Sequence, residues 1–263
     1  MKKILLLITI AMTAIAASAS DKVSSVDRTW NYSFNHISMS QYYGSIVGGI
    51  FYDGPMSFTD IIAKREDLFG TTYVDVSIGQ KLDHVRSFNK DGGNEYNLML
   101  GRTLALDSGD IKLNFDYCLT YLAVHNLGHL KDDVVSNNIR IDVTNTLFVQ
   151  PYLVIYRFDT VGKTPGSGWF VYGGVQRKFE IANVNDKPIT LGLEYRAGYS
   201  GTLFGTERGL AYHRLSVSLT AEVGEWTITP TVIGQTRGNG QRPGHAFVNR
   251  ARMFAQINMS RAL

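Results

Sequence analysis

Strict alternation of apolar and polar residues, sustained well beyond the length of an ordinary strand, is what most constrains this chain. Ile111, Leu113, Phe115, Tyr117, Leu119 and Tyr121 alternate with Lys112, Asn114, Asp116, Cys118 and Thr120. Ile189, Leu191, Leu193, Tyr195, Ala197 and Tyr199 alternate with Thr190, Gly192, Glu194, Arg196, Gly198 and Ser200. A period of two places each set on one face of a strand. Such runs exceed the about 5–6 residues common in globular sheets and match the ~9–11 needed to cross a bilayer at a tilt. No stretch of comparable length carries a helical period.

Alternation, broken by Gly, Asp, Asn and Pro, predicts about twelve strands: 28–37, 56–63, 71–81, 95–106, 111–123, 138–144, 147–157, 168–179, 188–200, 210–223, 226–236 and 249–263. Connections after even-numbered strands are mostly short, with a turn at Asn145-Thr146 as the least marked. Those after odd-numbered strands are longer and polar or Gly-rich. An even count with alternating short and long connections is the layout of a bacterial outer-membrane barrel. The expected fold is therefore all-β, a single antiparallel transmembrane β-barrel. A soluble β-sandwich also alternates, but it hides its apolar face and uses shorter strands. Here that face carries Trp30, Tyr32, Tyr121, Trp169, Tyr195, Tyr199 and Trp226 near strand ends, which suits bilayer interfaces.

Composition narrows the class further. A single cysteine among 263 residues excludes an intramolecular disulfide framework. A mean hydropathy of −0.07, with no long apolar run after residue 20, argues against membrane helices but is what alternating strands average to. Residues 1–19 read as a secretory signal: Lys2 and Lys3, the apolar Ile4–Ile15, then Ala17-Ser18-Ala19. Residues 20–263 would then be the barrel domain, exported through the inner membrane to the outer membrane of a Gram-negative bacterium. With 26 Lys+Arg against 23 Asp+Glu and no basic stripe, no nucleic-acid polymer is expected as a partner. The expected partners are outer-membrane lipids, small hydrophilic solutes and the barrel-assembly machinery, and the expected state is a monomer. The last strand is amphipathic and ends on Leu263, where such barrels commonly carry an aromatic residue.

Two segments carry a resemblance. Met56-Ser57-Phe58-Thr59-Asp60-Ile61-Ile62-Ala63 leads through the turn Lys64-Arg65-Glu66-Asp67-Leu68-Phe69-Gly70 into Thr71-Thr72-Tyr73-Val74-Asp75-Val76. The other segment is Arg28-Thr29-Trp30-Asn31-Tyr32-Ser33-Phe34-Asn35-His36. Together, about a ninth of the chain, they resemble the opening strands of the Tsx-like nucleoside-channel superfamily. That resemblance implies a twelve-stranded barrel through which small solutes, nucleosides in characterised members, diffuse without enzyme chemistry. It aligns no nucleoside-contacting position with a residue of this chain.

Alternation itself names a candidate pore lining: Tyr73, Asp75, Lys112, Asp116, Arg140, Asp142, Glu194, Arg196, Arg214, Glu222, Arg250 and Arg252. Tyr152, Tyr156, Tyr172, Tyr212 and Phe254 join them on the same face. Mixed signs on adjacent strands favour cross-strand pairing, with Lys112 and Asp116 beside Arg140 and Asp142. Plugging of a narrow interior by these pairs is the alternative to solute contact. A passive channel is the first functional expectation. A closed barrel whose loops bind a partner or a surface is the second.

A lipid-modifying enzyme is the third. His36-Ile37-Ser38 has the spacing of the histidine–serine pair used by lipid-hydrolysing barrels, and alternation puts both on one face. The sequence offers no orienting acid or amide for them, so no enzyme activity is expected. No metal or cofactor is expected either: His125 and His129 read as loop residues, Cys118 as a space filler, and the Gly-rich Asp91–Gly93 and Gly238–Gly240 as turns.

Overall fold

The long alternating runs pair edge to edge into one closed sheet, shown here as a computed structural model. The structure describes residues 29–40, 42–43, 50–52, 54–67, 69–82, 94–109, 111–125, 133–145, 148–161, 167–201, 208–238 and 252–263. In chain order the strands are β1 (Trp30–Met39), β2 (Tyr42–Tyr43), β3 (Ile50–Tyr52), β4 (Met56–Asp67), β5 (Gly70–Lys81), β6 (Asn94–Ser108) and β7 (Ile111–His125). There follow β8 (Asp133–Asn145), β9 (Gln150–Val161), β10 (Gly168–Val184), β11 (Lys187–Gly201), β12 (Gly209–Val223), β13 (Trp226–Arg237) and β14 (Arg252–Ala262). Each barrel strand is antiparallel to its neighbours, and β1 closes the ring by pairing with both β14 and β4. The small β2–β3 hairpin stands outside the barrel. Closure leaves no unpaired edge, which is what allows a sheet to sit in hydrocarbon.

All short connections meet at one end of the barrel with β1's start and β14's finish, and all long ones at the other. These are the turn end and the loop end below. At the turn end, Asn185 and Asp186 have φ of 50° and 61°. Two successive left-handed residues make a type I′ turn, whose twist matches the flanking strands. This tight turn lets β10 run to Val184, past the expected stop at 179. β4 likewise runs to Asp67, because Lys64, Arg65 and Glu66 pair with Tyr73, Thr72 and Thr71. β8 begins at Asp133, earlier than its hydrophobic pattern predicts, because Val134 and Ser136 pair with both β7 and β9. Asn145, expected in a turn, ends β8, and β9 begins at Gln150; Thr146 lies outside the described residues. The expected strand count stands at twelve, and β2 and β3 are two short additions that alternation did not mark.

The two faces of the sheet have opposite characters. Outward lie Leu98, Leu100, Leu119, Ile155, Leu193, Val217 and Val232, each roughly two-fifths to half exposed. The aromatics Trp30, Tyr32, Tyr121, Trp169 and Tyr199 are exposed on the same side near strand ends, whereas Tyr195, also exposed, stands in the middle of β11. Inward lie Ser77, Glu95, Asn138, Arg214 and Ser216 together with a cluster of Val134, Tyr152, Val154, Phe158, Phe170, Tyr172 and Tyr212. Pro230 stands mid-strand in β13 and supplies no N–H. The β12–β13 ladder skips Leu219–Thr220 against Thr229–Pro230, and the Thr220 and Thr229 hydroxyls lie 3.1 Å apart there.

Candidate functional site

On the inner face, rings from one strand lie over glycines of the next. A Cβ on Gly101 would come within 2.0 Å of the Tyr73 ring, and one on Gly174 within 2.7 Å of the Tyr152 hydroxyl. One on Gly198 would meet both Tyr212 and Phe170. These glycines carry no turn; they clear the wall so that rings lie flat against it. Sequence reading missed this device, although glycines on the inward parity of long strands are its visible sign.

Strands β8 to β12 build an aromatic wall in which two arginines pair with carboxylates of the same wall. Arg140 donates from Nε and Nη2 to Asp142, both at 2.7 Å, and stacks 4.8 Å from the Tyr152 ring centre. Arg196 donates to the Tyr152 hydroxyl at 2.8 Å and to Glu194 at 2.7 Å, and lies 4.5 Å from the Tyr172 ring centre. The Tyr152 hydroxyl also donates to Glu194. Arg214 donates to Gln235 Oε1 at 3.0 and 2.7 Å over the Tyr212 ring. Flat guanidinium groups on ring faces gain cation–π attraction, which holds the planes in place.

Strands β4 to β7 build a wall richer in acids. Asp60 accepts from Asn35 at 2.6 Å, and Glu95 from Asn97 at 2.8 Å. Asp116 accepts from Tyr73 and Thr103, each at 3.0 Å. Asp75 is on the same face, with its Oδ1 buried and unpartnered. Sequence reading missed Asp60 and Glu95, whose strands alternate less cleanly. The ring order sets β5 halfway round from β11, and β6 halfway round from β12. Asp75 therefore lies across the interior from Arg196, and Glu95 across from Arg214.

The expected pairing is partly different in the structure. Asp116 stands directly opposite Arg140 in the register, yet Arg140 binds Asp142 and Asp116 binds hydroxyls. Residues i and i+2 share a face, so a long guanidinium reaches its own strand's carboxylate without crossing the ladder. Lys112 pairs with Asp107, and Glu222 with Lys187, both at the turn end and not in the mid-barrel. Arg252 shares the inner face beside Gln235. Arg250 lies outside the described residues, as do residues 1–19 and His129. Tyr156 stacks on Phe158 and Tyr172, and Phe254 packs with Ile233 and Met39. Cys118 is buried on the inner face with its Sγ 3.6 Å from the Thr120 hydroxyl, filling space. No group of three or more His, Cys, Asp or Glu side chains placed to hold a metal occurs among the described residues. His36 and Ser38 share the outer face, as alternation requires.

Closed, tilted strands with a charged interior and an apolar belt define an outer-membrane-type β-barrel. No protein-family model matches the chain, and no curated protein matches it. Among solved structures it is similar to the KdgM porin, with a TM-score of 0.50 and 8% identity over 88% of this chain and 99% of that one. It is also similar to the β domain of the Bordetella autotransporter BrkA, with a TM-score of 0.50 and 10% identity over 90% of this chain and 100% of that one. At these identities the likeness is one of fold.

Proposed function

We propose that this protein is a porin-like channel of the Gram-negative outer membrane, and that small hydrophilic solutes pass through it by diffusion. Residues 1–19 would serve as its export signal, and residues 20–263 as the barrel the assembly machinery inserts. The observation that carries the reading is the inner wall. Arg140, Arg196 and Arg214 lie over tyrosine rings that are themselves buried, and Arg196 and Arg214 face Asp75 and Glu95 across the interior, so the wall offers polar groups of both signs to a solute. Hydrogen-bonding groups of both kinds along a narrow interior suit a small hydrophilic solute. The Tsx-like resemblance of Met56–Val76 is what points to nucleosides as that solute. Mixed charge predicts weak ion selectivity.

A constricted or closed lumen is the second reading. It is favoured by the near-complete burial of Val134, Val154, Phe170 and Tyr212 toward the loop end. Planar-bilayer conductance of the purified chain separates the two. Stepwise conductance, with faster swelling of proteoliposomes in nucleosides than in sugars of similar size, supports the channel and its solute. Folded protein that never conducts supports the closed barrel with binding loops.

A further inference from the structure

We propose that the outer wall carries an acyl-transfer site, in which Ser38 is the nucleophile and His36 its base, acting on the O-acyl ester of a membrane lipid. His36 Nε2 lies 3.0 Å from Ser38 Oγ, and His36 Nδ1 lies 3.0 Å from Thr59 Oγ1 on the neighbouring strand. A hydroxyl on the base, and the base in turn held by a third group, is the arrangement that activates a serine. When Nε2 accepts from Ser38, Nδ1 carries the proton and donates it to Thr59. That is the tautomer the reaction needs.

The face is set by neighbours. Phe34, two residues before His36, stacks edge-on against Trp226 of the outer surface. Ile61, two residues after Thr59, is 55% exposed. Phe34 and Ile61 are direct partners in the β1–β4 register, one step toward mid-membrane from the His36–Thr59 pair. At about 3.3 Å per residue and a tilt near 40°, Ser38 stands about 20 Å above Trp30 within an apolar band of about 25 Å. The hydroxyl therefore meets the loop-side boundary of the hydrocarbon, where lipid esters lie, and an acyl chain can run down over Phe34 and Ile61. Ser57, opposite Ser38 in the register, is 6% exposed, so Ser38 sits beside a covered position of the outer face.

In the reaction, Ser38 Oγ bonds to the ester carbonyl carbon while its proton passes to His36 Nε2. Collapse breaks the bond between that carbon and the alcohol oxygen, and the alcohol leaves with the proton from Nε2. Water then attacks the acyl-serine, giving its proton to Nε2. The fatty acid departs, and the proton returns to Ser38. Thr59 is a positioning residue that touches only the histidine.

The test uses the full chain folded in detergent micelles, with gel-shift heat-modifiability as the folding control. A fluorophosphonate probe should label Ser38, read by mass spectrometry of peptides. Fatty acid should be released from mixed micelles of phosphatidylethanolamine or from lipopolysaccharide, and the arm that releases it names the lipid source. Ser38→Ala and His36→Asn should each lower release by at least about 10³-fold with conductance unchanged, since both lie outside the lumen. Thr59→Val should lower it about tenfold, and Thr59→Asn should restore it. A folded parent that neither labels at Ser38 nor releases fatty acid from either lipid overturns the proposal. Release that persists in Ser38→Ala overturns it as well.

Discussion

Replacing Val232 with arginine, set beside the same change at Thr231, tests the two-faced wall on adjacent residues of one strand. Both lie at the middle of β13, so depth is held constant and only the face differs. Val232 points outward, is 48% exposed, and has Val217 and Ala255 as its cross-strand partners. Thr231 points inward between Ser218 and Gln256, which are small or polar and can hydrate or bond a guanidinium. An arginine on the lipid face at the midplane costs about 2–4 kcal/mol, whereas changes on the lumen face are tolerated. That cost is a factor of about 30 to 1,000 in the folding equilibrium. Val217 and Ala255, the cross-strand partners of Val232, carry no polar group that could rescue the charge, so the upper half of the range is expected.

The measurement is reversible unfolding in guanidinium with the barrel inserted in thin phospholipid vesicles, followed by tryptophan fluorescence. Trp30, Trp169 and Trp226 all sit on the outer surface and report release from lipid. Val232→Arg should shift the midpoint strongly, and Thr231→Arg by less than about 1 kcal/mol equivalent. Equal losses, or a larger loss at Thr231, would refute the assignment of faces and with it the inner wall described above.

Three other outcomes follow from the same geometry. Gly101→Ala should cost about 1–3 kcal/mol in the same unfolding assay, because the added methyl overlaps the Tyr73 ring and loosens its bond to Asp116; Tyr73→Leu in the same background should recover part of it. Asn185→Val should destabilise by about 1–2 kcal/mol, since a β-branched residue resists φ near 50°, while Asp186→Gly should be neutral or stabilising. Arg196→Gln should shift the reversal potential of a conducting barrel toward cations, because the interior loses one positive charge and Glu194 loses its partner; an unchanged reversal potential would take Arg196 out of the ion path.

Alternation made the barrel legible because a lipid-facing strand has no freedom to break period two without exposing a charge to hydrocarbon. That is why β7 and β11 can be read to within about two residues of their ends. Where the constraint relaxes, so does legibility. Lys64-Arg65-Glu66 lie at the turn end, where either face reaches water, and they pair as strand although they look like a loop. The inner face is less predictable still, because period two assigns a side but not a partner. It put Asp116 and Arg140 side by side, and the register agrees, yet each chose a different bond. A guanidinium has a carboxylate two residues along its own strand, and Tyr73 and Thr103 reach Asp116 from the other side. Such choices depend on rings made possible by distant glycines, for which local sequence carries no signal. The His36–Ser38 pair shows the same limit from outside. Spacing placed both on one face, but only the β1–β4 register brings Thr59 to the second ring nitrogen and turns a chance-prone tripeptide into a three-member hydrogen-bonded chain.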